Sequence, residues 1–228
     1  QDRLRFWIGD VRDKSRLKLA FNEVDFVVHA AALKQIPAAE YNPQECINTN
    51  INGANNVIFA ALEEGVKKVI ALSTDKACNP INLYGATKLA SDKLFVSSNF
   101  SYSGGKTRFS IVRYGNVMGS RGSIIPMFLR MKDKGILPIT DHRMTRFMVS
   151  LEAGVELVWH AVSDMSGGEI YLKKTPSMKV TEVARTISPS AKLEFIGLRP
   201  GEKIHEQMIG AEESNNTFEY DEYYKIIP

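Results

Sequence analysis

Short apolar runs at residues 4–8, 25–29, 68–72 and 109–113 are separated by stretches with helical spacing, and this alternation leaves the chain few folds. The runs are rich in β-branched and aromatic residues and are of the length of buried strands. The first intervening helix is expected over 14–23. The second follows Asn42-Pro43 and ends near Gly65, with Ile47, Ile51, Ala54, Val57, Ile58, Ala61 and Leu62 as its apolar stripe. The third covers 83–98. The β-α-β-α-β-α-β order predicts an α/β fold, a Rossmann-like doubly wound parallel sheet. After Asn116 the pattern loosens into GNVMGSRGS and KGILPITD, with further helices expected at 151–163, capped by Ser150, and at 180–187. Residues 1–116 therefore read as the dinucleotide-binding part. Residues 117–228 read as a smaller substrate-binding lobe, whose tail from 212 to 228 reads as a terminal strand or latch, with a frayed end as the alternative.

Composition excludes more than it selects. With 228 residues, 44% of them hydrophobic and 24% charged, the chain can bury a sizeable core. A net charge of +3, spread without a run of one sign, argues against nucleic acid as a partner. No stretch has the apolar length of a membrane span. Cys46 and Cys78 form no CxxC pair, which suits a reducing cytoplasm, and neither they nor the four scattered histidines have metal-ligand spacing, so no metal is expected.

The residues fit for chemistry follow the third run. Ser73-Thr74-Asp75-Lys76 stands at the carboxyl end of a strand, where open α/β sheets keep their sites. Tyr84 and Lys88 open the next helix at i and i+4, on one face, so that an ammonium can lower the phenol pKa while the phenol moves a proton. By itself this pair is more readily an exposed amphipathic helix, and Asp75-Lys76 is as readily an exposed ion pair on a turn.

The segments GDVRD (9–13), HAAALKQIP (29–37), ALSTDKACNPINLYGATK (71–88), VRYGNVMGSRGS (112–123), MTRF (144–147) and RPGEK (199–203) resemble the soluble, inverting UDP-N-acetylglucosamine 4,6-dehydratases of the extended short-chain dehydrogenase/reductase superfamily. Tyr84 favours this branch, because larger membrane-anchored relatives usually carry Met there. The resemblance implies a cytoplasmic, homo-oligomeric lyase acting on a UDP-sugar at the head of pseudaminic acid and related surface-sugar pathways. It implies NADP, or NAD, as a tightly held cofactor. It also implies roles. Tyr84, helped by Lys88 and Thr74, would serve the 4-hydroxyl; Lys76 would take the C5 proton and Asp75 would serve the 6-hydroxyl. Asp10, Val11, Ala30, Ala31, Lys34 and Ser73, with Tyr84 and Lys88, would meet the cofactor. Lys34, Asn116, Arg146, Arg199 and Glu202 would meet the substrate.

One departure stands out. No Gly-rich phosphate turn precedes Asp10, so the first β-α-β unit of such a sheet is not in this sequence. In the strand order 3-2-1-4-5-6, residues 4–8 would then have no neighbour to pair with, cofactor binding would be weak, and the chain would be part of a longer enzyme. Two other functions fit the same residues: a UDP-hexose 4-epimerase, against which Asp75-Lys76 counts, and a non-catalytic nucleotide-binding protein.

Overall fold

A computed structural model describes residues 3–102 and 106–228. Asp13 accepts from the Arg16 amide and so starts α1 (Lys14–Phe21). Next come β1 (Phe26–His29), α2 (Ile36–Tyr41), α3 (Pro43–Ile47) and α4 (Gly53–Glu63). β2 (Lys68–Thr74), α5 (Leu83–Ser101), β3 (Arg108–Tyr114), β4 (Asn116–Val117) and α6 (Ile124–Met131) follow. The remainder comprises β5 (Ile136–Ile139), β6 (Thr145–Val149), α7 (Leu151–Asp164), β7 (Ile170–Lys173), β8 (Ser177–Lys179), α8 (Val180–Ile187), β9 (Lys192–Phe195), α9 (Ala211–Ser214), β10 (Thr217–Glu219) and β11 (Tyr223–Ile226).

The main sheet runs β1-β2-β3-β7-β11-β10, parallel from β1 through β7 and antiparallel beyond it. Its central strands are buried on both faces, as their unbroken apolar sequence requires. On one face Val57, Ile58 and Ala61 of α4 and Phe95 of α5 pack on Val69, Ala71, Phe109 and Ile111. On the other, Leu157, Ala161 and Val162 of α7 cover Ile70, Val112 and Tyr171. The doubly wound α/β sheet is thus present, and the stripe of α4 belongs to its core. Smaller sheets, β4-β6-β8 and β5-β9, lie outside it over a separate core around Phe128, Leu137, Ile139 and Val183. The chain crosses the division at residue 116 more than once, since β7, β11 and β10 return to the main sheet.

Two expectations are corrected. Residues 4–8 form no strand; Phe6 and Ile8 are each 92% exposed, and among the described residues the segment is held where Arg16 Nε donates to the Ile8 carbonyl and its guanidinium lies over the Trp7 ring. Apolar sequence is not enough for a strand without a ladder partner. Among the described residues none pairs with the outer edge of β1, where Phe26 and Val28 are exposed. The helix expected over 43–65 is broken by a π turn at Asn48–Asn52, which rotates Asn50 inward. There its amide bonds the Leu33 amide (2.8 Å), the Leu33 carbonyl (3.0 Å) and Thr87 Oγ1 (3.0 Å), tying the loop after β1 to α5.

A buried ion network fastens the tail. Arg113 of β3 is 1% exposed and is gripped by both carboxylate oxygens of Glu213, at 2.8 and 2.9 Å, with Asp92 at 3.6 Å. Burial pushes the Glu213 carboxyl up, but the Arg113 bonds outweigh it and hold the carboxyl below its ordinary value. A group depressed in the folded state stabilises above its unfolded pKa and loses that contribution as pH falls through the folded one. Glu213→Ala is expected to cost about 3 kcal/mol at neutral pH by leaving Arg113 short of countercharge. The difference from wild type should shrink on acidification, as read by denaturation at several pH values.

Candidate active site

Parallel strands deliver their carboxyl ends to one side, and there β2 ends in Ser73 and Thr74 and turns at once into a 3₁₀ turn, Asp75–Ala77. Thr74 caps that turn, accepting from the Lys76 amide at 3.3 Å. Asn82 caps α5 through the Gly85 amide (2.8 Å) and donates to the Gly201 carbonyl (2.7 Å). The first turns of α5 thereby face the 3₁₀ turn, and Gly85 lets them approach.

The sequence left open whether Asp75-Lys76 is an exposed pair. It is not: Asp75 is fully buried, Lys76 is largely so, and Lys76 Nζ lies 3.0 Å from Asp75 Oδ1. Thr74 Oγ1 donates to the same oxygen at 3.0 Å, while Asp75 Oδ2 has no hydrogen-bond partner among the described residues. Tyr84 and Lys88 are buried on the facing helix. Burial pushes the Tyr84 phenol well above its ordinary pKa, with the neighbouring Thr74 side chain opposing it. Burial lowers the Lys88 ammonium, against Asp92 one turn on; Lys88 Nζ donates to the Leu72 carbonyl at 2.8 Å. In this arrangement the group that opposes burial at the phenol is Thr74.

The other expected residues are spread more widely. Asp10 is exposed and held by Arg12 at 2.7 Å, which keeps its carboxyl low. Val11 joins the main core beside Gly53. Ala30, Ala31 and Lys34 lie in the exposed loop after β1. Ser73 turns its hydroxyl to Asp92 Oδ2 (2.6 Å), inside the fold. Asn116 is half-buried with Oδ1 unpartnered among the described residues. Arg146, Arg199 and Glu202 do converge. Arg199 Nη2 and Arg146 Nη2 lie 2.8 and 3.8 Å from Glu202 Oε1, although Arg146 spends its donors on the carbonyls of Thr145, Lys203 and Ile204. Sequence reading missed Asp92, Asn50 and Glu206. The first stands at i+4 from Lys88, the spacing already used for Tyr84 and Lys88, whereas nothing in the sequence brings Glu206 to Lys76.

The whole chain, residues 1–228, matches the family model described as polysaccharide biosynthesis protein. The chain belongs to this family. It is 59% identical, over 99% of its length and 68% of the relative's, to the inverting UDP-N-acetylglucosamine 4,6-dehydratase of Campylobacter jejuni (strain 81-176). It is 42% identical, over 98% of its length and 67% of the relative's, to a UDP-glucose 4-epimerase of Rickettsia conorii. Its fold superimposes with a TM-score of 0.95 on the solved structure of Pen from Bacillus thuringiensis, at 39% identity, covering 100% of this chain and 74% of that one. The resemblance read from 9–13, 29–37, 71–88, 112–123, 144–147 and 199–203 therefore stands. No helix among the described residues is long and apolar enough to cross a membrane.

Proposed function

We propose that this member of the polysaccharide biosynthesis protein family, an enzyme of the dehydratase (hydro-lyase) group, removes water across C5 and C6 of UDP-N-acetylglucosamine with inversion at C5. The product is a UDP-4-keto-6-deoxy-N-acetylhexosamine for surface-sugar biosynthesis. The observation that carries the reading is the buried Asp75–Lys76 pair, 3.0 Å apart at the mouth of β2. A 4-epimerase needs one base at the 4-hydroxyl. Elimination needs two further proton carriers, and a buried acid–base pair is what supplies them.

Tyr84 takes the 4-hydroxyl proton, with the Thr74 side chain beside it favouring the phenolate. A nicotinamide dinucleotide, NADP with NAD as the alternative, supplies when bound the acceptor and later the donor of the C4 hydride. The carbonyl formed at C4 acidifies C5–H; Lys76 takes that proton and Asp75 protonates the departing 6-hydroxyl as water. Asp75 Oδ2, buried and without a partner among the described residues, is the atom free for that hydroxyl. The 3.0 Å contact between Lys76 Nζ and Asp75 Oδ1 returns the proton from base to acid and resets the pair. Return of the hydride to C6 would be matched by a solvent proton entering C5 on the opposite face, while the 4-hydroxyl proton leaves Tyr84 for solvent.

The chain's residues fit the cofactor in part. The alanines after β1 leave the loop backbone open at the carboxyl edge of the sheet, Lys34 is exposed beside them, and Lys88 and Tyr84 lie at the neighbouring strand end. Asp10 and Val11 are assigned to the adenine side. Ser73, bonded to Asp92, acts by fixing the strand end. Asn116, at the end of the 1–116 part, faces the sugar; in the 117–228 part exposed Arg199 meets the diphosphate, Glu202 the uridine, and Arg146 holds the 203–204 backbone. Exposed Leu151, Val155 and Trp159, one turn apart along α7, support self-association into a homo-oligomer.

The test is incubation with UDP-N-acetylglucosamine and either cofactor, with and without an added β-α-β unit beside β1. A product one water lighter, inverted at C5 by NMR, is expected. An unchanged mass with inversion at C4 would make the chain an epimerase, and no turnover in either form would leave a nucleotide-binding protein.

A further inference from the structure

Lys76 has a second carboxylate. Glu206, 8% exposed, comes from the segment that follows Glu202, and its Oε1 lies 3.5 Å from Lys76 Nζ. Its Oε2 makes no hydrogen bond among the described residues and stands 3.7 Å from Lys203 Nζ, which donates to the Cys78 carbonyl at 2.7 Å. The segment is pinned on both sides of Glu206: Asn79 Nδ2 donates to Gln207 Oε1, and His205 Nδ1 shares a 2.8 Å hydrogen bond with Thr145 Oγ1. The buried carboxylate is thus placed by a frame of contacts to the 3₁₀ turn and to β6.

The dehydratase reading, on which this inference rests, makes two demands that one carboxylate cannot meet together. While Lys76 takes the C5 proton, Asp75 must still hold the proton destined for the 6-hydroxyl, so Asp75 is neutral when positive charge appears on Lys76. A lysine ammonium forming in a buried site without a nearby anion is costly. We infer that Glu206 is a positioning residue for Lys76: it stays ionised through the cycle and supplies the countercharge for the ammonium as the C5–H bond breaks. No proton is gained or lost by Glu206. The proton from C5 ends on Lys76 Nζ, Asp75 releases one to the departing hydroxyl, and transfer from Lys76 to Asp75 resets the pair; a solvent proton entering C5 as hydride returns to C6, matched by release of the 4-hydroxyl proton from Tyr84 to solvent, closes the balance. The 3.5 Å spacing is loose for an ion pair and suits a contact that tightens only when the ammonium forms.

The inference separates the two halves of the reaction. Oxidation at C4 depends on Tyr84, whereas elimination depends on Lys76. In the holoenzyme, Glu206→Gln should therefore leave single-turnover C4 oxidation, read as reduced-nicotinamide absorbance, within about 3-fold of wild type, while elimination slows roughly 10- to 100-fold. Reduced cofactor should accumulate, and deuterium uptake at C5 from heavy water should fall in step with elimination. Glu206→Asp, which keeps the charge, should give a partition between wild type and E206Q, and decides the matter if E206Q does not fold. Equal loss of both steps would mark a merely structural carboxylate and overturn the inference, as would unchanged elimination in E206Q or equal slowing by both variants. A wild-type enzyme that yields no lighter product would instead remove the dehydratase reading itself.

Discussion

Tyr84→Phe should abolish turnover while leaving the protein folded, with a loss of roughly 10²–10⁴-fold in the C4 oxidation step. The ring fills a buried site between α2, α3 and α5, beside Ala39 and Cys46, and Phe keeps that packing. What is lost is the oxygen that takes the proton. The phenol's environment also fixes the sign of a pH dependence. Burial holds its pKa above the ordinary value, so oxidation should quicken as pH rises toward the phenolate form. Thr74, beside the phenol, opposes burial. Thr74→Val should therefore push the phenol higher still, slow oxidation by about 10-fold at neutral pH and displace the rise of the rate to more alkaline pH. A pH-independent loss in T74V would show that the hydroxyl only shapes the turn. Retention of oxidation in Y84F would assign the base to another group.

The core of the fold is legible because its strands and helices each carry one period. β2 and β3 are apolar on both faces, the mark of a central parallel strand, and α8 and α7 show an apolar stripe with a clear cap or turn at their ends. What failed was sequence that depends on something distant. Residues 4–8 have strand composition, yet composition cannot supply a ladder. The π turn at Asn48–Asn52 leaves no local trace because its cause is the set of hydrogen bonds that Asn50 makes with Leu33 and Thr87. The site divides along the same line. Thr74, Asp75, Lys76, Tyr84 and Lys88 lie within one β-turn-α segment, so spacing alone brings them together. Glu206 reaches Lys76 across 130 positions through a strap of side-chain bonds, and Ser73, expected to meet the cofactor, is buried and bonded to Asp92. Residue identity reports such partners only after the fold is known.

The same reasoning singles out Gly85, whose replacement should do more damage than any other single methyl group. It lies in the first turn of α5 with ordinary helical geometry, so backbone freedom is not its reason. A Cβ there would stand 2.2 Å from the Lys76 carbonyl oxygen and 3.1 Å from both the Lys76 carbonyl carbon and the Pro80 Cβ. Backbone cannot rotate away as a flexible side chain does, so either α5 or the 3₁₀ turn must move. Each carries half of the chemistry: Tyr84 and Lys88 on one, Asp75 and Lys76 on the other. Gly85→Ala is expected to cost about 3 kcal/mol, at the upper end of overpacking, and to reduce turnover by at least ~100-fold even in protein that remains folded, since a displacement near 1 Å is enough to misalign a catalytic pair. Gly154 supplies the comparison. It is also helical, inside α7, but a Cβ there meets nothing within 4 Å. Gly154→Ala should raise stability by about 0.5–1 kcal/mol and leave activity alone, because alanine loses less backbone entropy in a helix. Thermal melting and turnover of the two variants, measured side by side, distinguish contact from propensity: if G85A melts and works like wild type, α5 and the catalytic turn are not held at the separation described here.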